Sequence, residues 1–245
     1  MTNDNVLLAI DKLNVHYRQF QALYDVSVKI KKGSIVSIIG SNGAGKSTLL
    51  NTILGINRPT SGSVTFMDQR IDGLPTNRIA AKGLSMSPEG SRVFPNLTVK
   101  ENLLMGAYIP QARKNKEAML EKAYDLFPVL KEKSKQEANY LSGGQRQMLA
   151  IARAIMAGPK ILFCDEISLG LAPVVIKDIY KKIQEINDEG ITIVLIEQDV
   201  KRSLKYSDYS YVILKGNIVM EGKSSELPVE EVTDAYFGEN KYAIY

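Results

Sequence analysis

Residues 35–48 read Ile35-Val36-Ser37-Ile38-Ile39-Gly40-Ser41-Asn42-Gly43-Ala44-Gly45-Lys46-Ser47-Thr48. The stretch opens on a short apolar run of the kind expected of a strand buried on both faces. It passes through a glycine-rich bend to Lys46-Ser47-Thr48, and a helical stretch follows from Ser47 to Leu54. Glycines let the backbone curl until successive N–H groups point at one centre, and the helix N-terminus adds partial positive charge. Lys46 is placed to neutralise β- and γ-phosphates, and the Ser47 hydroxyl to ligate Mg²⁺. Strand, bend and helix in this order predict a phosphate-binding loop in an α/β core.

Two more apolar runs, Ile161–Cys164 and Ile191–Ile196, are continuous in the same way. They end in Asp165-Glu166 and in Glu197-Gln198-Asp199. In an open α/β sheet, ligands sit beyond the carboxyl ends of the strands, so these polar ends are expected at the site. Side chains alternate along a strand, so adjacent acids are expected to point different ways. Asp165 is assigned to the metal, and Glu166 to water polarisation or general-base work.

Between those two runs, Ile176, Ile179, Ile183 and Ile186 recur at helical spacing until Gly190, which predicts an amphipathic crossover helix. The stretch from Leu7 to Ile30 alternates in part and reads as antiparallel strands, joined by Ser63 to Phe66. From about Asn96 to Gln136 glycine is rare, and a helical insertion broken at Pro110 and Pro128 is expected. Thr98 and Glu101 have capping-box spacing at its start. Leu141-Ser142-Gly143-Gly144-Gln145 precedes a helix with Met148, Leu149, Ala152 and Ile155 on its apolar face. Ser142 with two glycines reads either as a structural N-cap or as a second anion site. The expected division is an α/β core with a β subdomain at 1–88 and 158–245, and a helical subdomain at 89–157.

Composition narrows the function classes. With 44% hydrophobic and 24% charged residues, wholesale disorder is excluded. The formal charge of +4 is scattered, with no long basic block, so nucleic acid is not an expected partner. A single cysteine, Cys164, excludes an intrachain disulfide and fits a reducing compartment. A single histidine, His16, excludes a His-rich metal site. No run reaches the length of a membrane span, and no signal-peptide core opens the chain, so a cytosolic protein able to dock on a membrane partner is expected.

The phosphate loop, the Leu-Ser-Gly-Gly-Gln signature at 141–145 and the apolar run ending Asp165-Glu166 together resemble the ATP-binding-cassette (ABC) ATPases, over nearly the whole chain. The resemblance implies a P-loop NTPase fold with a RecA-like core. It implies that two such subunits sandwich two ATPs, the loop of one facing the Ser142 signature of the other. Gly40 to Thr48, Ser142, Gly143, Gly144 and Gln145 are then nucleotide-binding, and Tyr17 stacks on adenine. Three positions depart from the family pattern: Glu89 stands where Gln is usual, Gln198 where a histidine is usual, and Ala172 where an Asp is usual. These are jointly similar to the ATPase subunits of branched-chain amino-acid and related amide importers. That subgroup shares Pro88-Glu89-Gly90, Arg92-Val93-Phe94 and Ser168 to Pro173; Ile167 departs from its usual Pro.

The subgroup resemblance implies an ATPase on the cytoplasmic face of the cell membrane. It works there with transmembrane permease subunits, a like or sister ATPase, and an extracytoplasmic solute-binding protein. Glu166, Lys46, Gln198 and Glu89 are the expected catalytic residues, and Ser47, Asp165 and Glu89 the metal-side residues. Arg92, Phe94 and Leu97 read either as permease contacts or as helical packing. Two other functions stay open: a soluble cassette acting on nucleic acid or ribosomes, and a regulatory cassette that barely hydrolyses ATP.

Overall fold

A computed structural model describes residues 5–237. These residues fall into two compact units, one ending at Lys82 and resuming at Val194, the other spanning Gly83–Ile193. Of the division expected from sequence, residues 1–4 and 238–245 lie outside the described residues.

The first unit opens with β1 (Val6–Tyr17) and β2 (Phe20–Lys31), an antiparallel pair. Alternating burial explains the pairing: Leu8, Ile10, Leu13, Val15, Leu23, Val26, Val28 and Ile30 face the core. Lys12 and Asp25 break the alternation with positive φ, each beside a register shift. β3 (Ile35–Ile39) is buried at every residue and leads through the glycine-rich bend into α1 (Lys46–Ile53). Then follow β4 (Ser61–Phe66), β5 (Gln69–Arg70) and α2 (Thr76–Ala81). β4 pairs with β1, giving an antiparallel sheet of order β2-β1-β4-β5, as the sequence predicts for Ser63 to Phe66.

The second unit begins with β6 (Leu84–Ser87) and continues through α3 (Val99–Gly106), α4 (Pro110–Lys114), α5 (Lys116–Leu126) and α6 (Pro128–Glu132). The expected helical middle is present, and both predicted prolines stand at the first position of a helix, where a missing N–H costs nothing. The Thr98–Glu101 capping box forms in full. A 3₁₀ turn at Ala138–Tyr140 leads to α7 (Gly143–Ile155), β7 (Ile161–Asp165) and α8 (Pro173–Asp188). β6 and β7 are parallel, with Ser87 opposite Cys164. Ile179, Ile183 and Ile186 form the buried stripe of α8, as their spacing predicts.

α3 packs against α7 at Gly106, and this glycine is required by space. A Cβ there would run into the backbone carbonyl oxygen of Arg153, which cannot yield unless the helices part. Gly106→Ala is expected to destabilise the chain by about 3 kcal/mol through overpacking. The thermal midpoint should fall by roughly 6–12 °C.

β8 (Thr192–Glu197) carries the chain back to the first unit, which closes with α9 (Val200–Tyr206), β9 (Tyr209–Leu214), β10 (Asn217–Lys223) and α10 (Val229–Phe237). β9 runs parallel to β3, with Val36 opposite Tyr209 and Ile39 opposite Val212. β10 returns antiparallel to β9. Tyr211 ties β9 to the edge strand β2: its hydroxyl accepts from Lys29 N (3.0 Å) and donates to Lys29 O (3.0 Å). Burial pushes its phenol pKa up to about 12, so it stays neutral and keeps both bonds. Behind β3, the hydroxyls of Ser37, Ser207, Ser210 and Ser224 bond to one another at 2.7–3.2 Å. This polar cluster pins β3, β9 and the turn after β10 in one register. Among the described residues, no helix is long and apolar enough to cross a membrane.

Candidate functional site

The bend after β3 is anchored from two sides within the first unit. Gly40 N donates to Glu197 O at the end of β8 (3.3 Å), and Gly216 N, between β9 and β10, donates to Ala44 O (2.8 Å). Gly43 and Gly45 hold φ of 80° and 114°, which side chains rarely adopt. Gly40 answers a different demand: a Cβ there would lie 2.6 Å from Ile213 O on β9. Ala44 is buried under the loop, while Ser47 is exposed on the first turn of α1 and Thr48 half-buried beside it.

Lys46 is 5% exposed and turns its ammonium into the bend, donating to Gly40 O (2.7 Å) and Ser41 O (3.1 Å). A buried cation ringed by backbone dipoles at a helix start fits a polyphosphate chain. Asn42 and Gln198 are brought together as well: Gln198 Nε2 donates to Asn42 Oδ1 (3.0 Å). The turn carrying Gln198 is fixed by Asp199, which caps α9 through Arg202 N (2.8 Å) and pairs with the Arg202 guanidinium (3.0 Å). Tyr17 ends β1 and is 45% exposed. Asn57, which the sequence reading missed, donates from Nδ2 to the Tyr17 hydroxyl at 2.6 Å.

The second unit carries the acids. Asp165 is the last residue of β7 and half-buried. Glu166 lies beyond the strand with φ 46° and is 9% exposed. The backbone turns left-handed after Asp165, so Glu166 is not a strand residue. Strand alternation, expected from sequence to point the two acids different ways, does not apply there. Glu166 O accepts from Leu169 N (3.1 Å), closing the turn, and Ile167 is buried, an apolar packing position. Ala172 stands at the N-cap of α8 with no capping side chain, and Pro173 at N1 removes one orphan donor. Among the described residues, no group of three or more His, Cys, Asp or Glu side chains gathers as a metal site.

Ser142 forms the N-cap of α7. Its hydroxyl accepts from Gln145 N (3.2 Å), and Gln145 Oε1 accepts from Ser142 N (3.0 Å), a complete capping box at the start of α7. Gly143 is exposed; Gly144 is buried, and a Cβ on it would lie 2.5 Å from Val175 Cγ1 of α8.

Glu89 is exposed on the turn after β6. Since Ser87 pairs opposite Cys164, this turn and Asp165 leave adjacent strands at the same level. Gly90, Ser91 and Arg92 have φ of 69°, 63° and 41°. For Ser91 and Arg92 that region costs about 1 kcal/mol or more each, so the turn must be held by its surroundings. Arg153 of α7 holds one end, donating from Nη2 to Arg92 O (2.8 Å), and its guanidinium stacks on Phe94 at 5.1 Å. Burial pulls the Arg153 pKa below its usual value. Phe94 and Arg92 are exposed and Leu97 half-buried.

A family model described as "ABC transporter" matches residues 23–168, from Leu23 in β2 through the phosphate loop and signature to Ser168. The chain belongs to the ABC transporter family. The cassette is 46% identical over 233 residues to the high-affinity branched-chain amino acid transport ATP-binding protein BraG of Pseudomonas aeruginosa, covering 95% of this chain and 100% of that one. It is similar to a crystal structure, in its ADP conformation, of an ATP-binding cassette of an ABC transporter: TM-score 0.80, 30% identity, covering 97% of this chain and 96% of that one. It is also similar to a dimeric post-hydrolysis cassette bound to ADP and Pi, with TM-score 0.76 and 25% identity over 89% of this chain and 99% of that one. The fold expected from the motifs is thereby established: an α/β P-loop NTPase with an antiparallel β subdomain and a helical insertion.

Proposed function

We propose that the cassette is the ATP-hydrolysing subunit of an importer for branched-chain amino acids or related small amino acids and amides. The observation that carries the reading is the anchored Gly40–Thr48 bend with the Lys46 ammonium inside it, in a chain alike from end to end to a branched-chain amino-acid ATP-binding protein. The cassette docks on transmembrane permease subunits at the cytoplasmic face, paired with a second copy or a sister ATPase. An extracytoplasmic binding protein supplies the solute. The helical stretch 89–157 is the subdomain inserted in the α/β core, with Arg92, Phe94 and Leu97 on its permease side.

Each residue has a chemical task. The loop N–H groups and Lys46 take the phosphate tail, and Tyr17 takes the adenine face. Glu166 accepts the proton of the attacking water. Gln198 donates a hydrogen bond to a γ-phosphate oxygen, but carries no charge and stabilises the transition state less than a protonated histidine. Ser47, Asp165 and Glu89 are the metal-side groups. Mg²⁺, when bound, supplies the charge neutralisation that lets water approach a polyanion. Ser142 to Gln145 meet the nucleotide held by the facing subunit, the intact capping box giving them a fixed backbone.

The test is reconstitution with the permease pair and binding protein in proteoliposomes. Mg-ATP turnover should rise several-fold with solute-loaded binding protein, and labelled leucine or a related solute should accumulate. Turnover stimulated by RNA or DNA without a membrane requirement would favour a soluble nucleic-acid role. Phosphate release near background in every condition would favour a regulatory cassette.

A further inference from the structure

α7 grips the Glu89 turn at a second point besides Arg153. Gln147 lies on the same helix, five positions after Ser142, and is 4% exposed. Its side-chain carbonyl accepts from Ser91 Oγ (2.8 Å), and its Nε2 donates to Ser87 Oγ (3.3 Å). Ser87 is the last residue of β6, and Ser91 follows Pro88-Glu89-Gly90. One buried amide therefore holds both ends of the segment that carries Glu89.

The choice of side chain is informative. A buried amide is unfavourable unless donor and acceptor are both satisfied, and a Leu or Met would fill the space without that cost. The amide presents a carbonyl acceptor at one end and an NH2 donor group at the other, and the two serines meet them in the required sense. The turn they bracket is one the backbone does not favour, with Gly90, Ser91 and Arg92 all left-handed and Arg92 N bonded to Gly90 O at 2.6 Å. Strain of this kind persists only where neighbouring groups over-determine it. The neighbouring groups here, Gln147 and Arg153, both belong to the helix that begins at the signature.

We propose that Gln147 is a positioning residue that fastens the Glu89 turn to the signature helix. It sets where the Glu89 carboxylate stands, and makes that carboxylate travel with α7. The proposal rests on the metal-side or water-ordering role given to Glu89 above.

The experiment uses the full chain and three variants, Gln147→Met, Ser91→Ala and Glu89→Ala, with the doubles Gln147→Met/Glu89→Ala and Ser91→Ala/Glu89→Ala. The first readout needs no nucleotide: hydrogen exchange of the peptide covering residues 88–93. Exchange should quicken about tenfold in Gln147→Met and in Ser91→Ala, the worth of roughly one hydrogen bond, with α7 itself still protected. The second is steady-state hydrolysis. kcat should fall about tenfold with KM for ATP within about twofold, and neither change should slow the Glu89→Ala background further. Unchanged exchange at 88–93, or losses that multiply with Glu89→Ala, overturn the proposal. A Glu89→Ala chain that hydrolyses normally overturns the role of Glu89 instead. Should Gln147→Met fail to fold, Ser91→Ala carries both readouts, since it removes only a hydroxyl.

Discussion

Glu166→Gln is expected to lower ATP turnover by roughly 10²-fold or more and to leave Mg-ATP affinity unchanged, because it removes the proton acceptor and little else. Gln keeps the length and volume of Glu, so the buried position after β7 is not emptied. Both residues pay the same backbone cost at φ 46°, so the turn closed by Leu169 N is retained. What changes is basicity: an amide cannot take a proton from the attacking water, and general-base contributions lie at about 10²–10⁴-fold. Single-turnover hydrolysis separates this from a change in product release, and nucleotide titration monitors binding. Normal hydrolysis in the variant would remove Glu166 from the mechanism and move the search for the base to the other carboxylate of the site, Glu89.

The parts of this molecule that were legible in its sequence are those fixed by local pattern. β3 reads as a fully buried strand because its five residues form an almost unbroken apolar run. The Thr98–Glu101 box forms where its spacing places it, and Ile179, Ile183 and Ile186 mark the buried side of α8. Ser142 and Gln145 carry the same capping spacing, and the N-cap expected of Ser142 is made there as a full box. What stayed hidden depends on distant partners. Gln147 looks like any polar residue of an amphipathic helix, since its bonds go to Ser87 and Ser91, 60 and 56 positions away. Asn57 meets Tyr17 across 40 positions, and Tyr211 meets Lys29 across 182. The left-handed backbone at Glu166 escaped for a different reason: a positive φ at a non-glycine residue leaves no mark in composition.

Lys46→Ala is expected to weaken Mg-ATP binding by about 10²-fold or more while the chain stays folded. The ammonium donates to Gly40 O and Ser41 O, and Ser41 O keeps the Ala44 N–H as a partner after truncation. The loop's other anchors, Gly40 N to Glu197 O and Gly216 N to Ala44 O, do not involve the side chain. Losing the lysine therefore leaves the bend's main-chain anchors intact and deletes its charge. A phosphate oxygen met by backbone N–H groups alone lacks a charge-assisted bond, which in a largely dry position is worth about 3 kcal/mol, or roughly 10²-fold. Ligand-induced stabilisation gives a clean readout. At nucleotide about 100 times the native dissociation constant, the native chain gains about 2.7 kcal/mol. A chain binding 100-fold more weakly gains only about 0.4 kcal/mol. The thermal midpoint should therefore rise by roughly 5–10 °C in the native chain, and by about 1 °C in the variant. Equal rises in the two would mean that the bend around Lys46 does not grip the phosphates, and the assignment of every residue from Gly40 to Thr48 would fall with it.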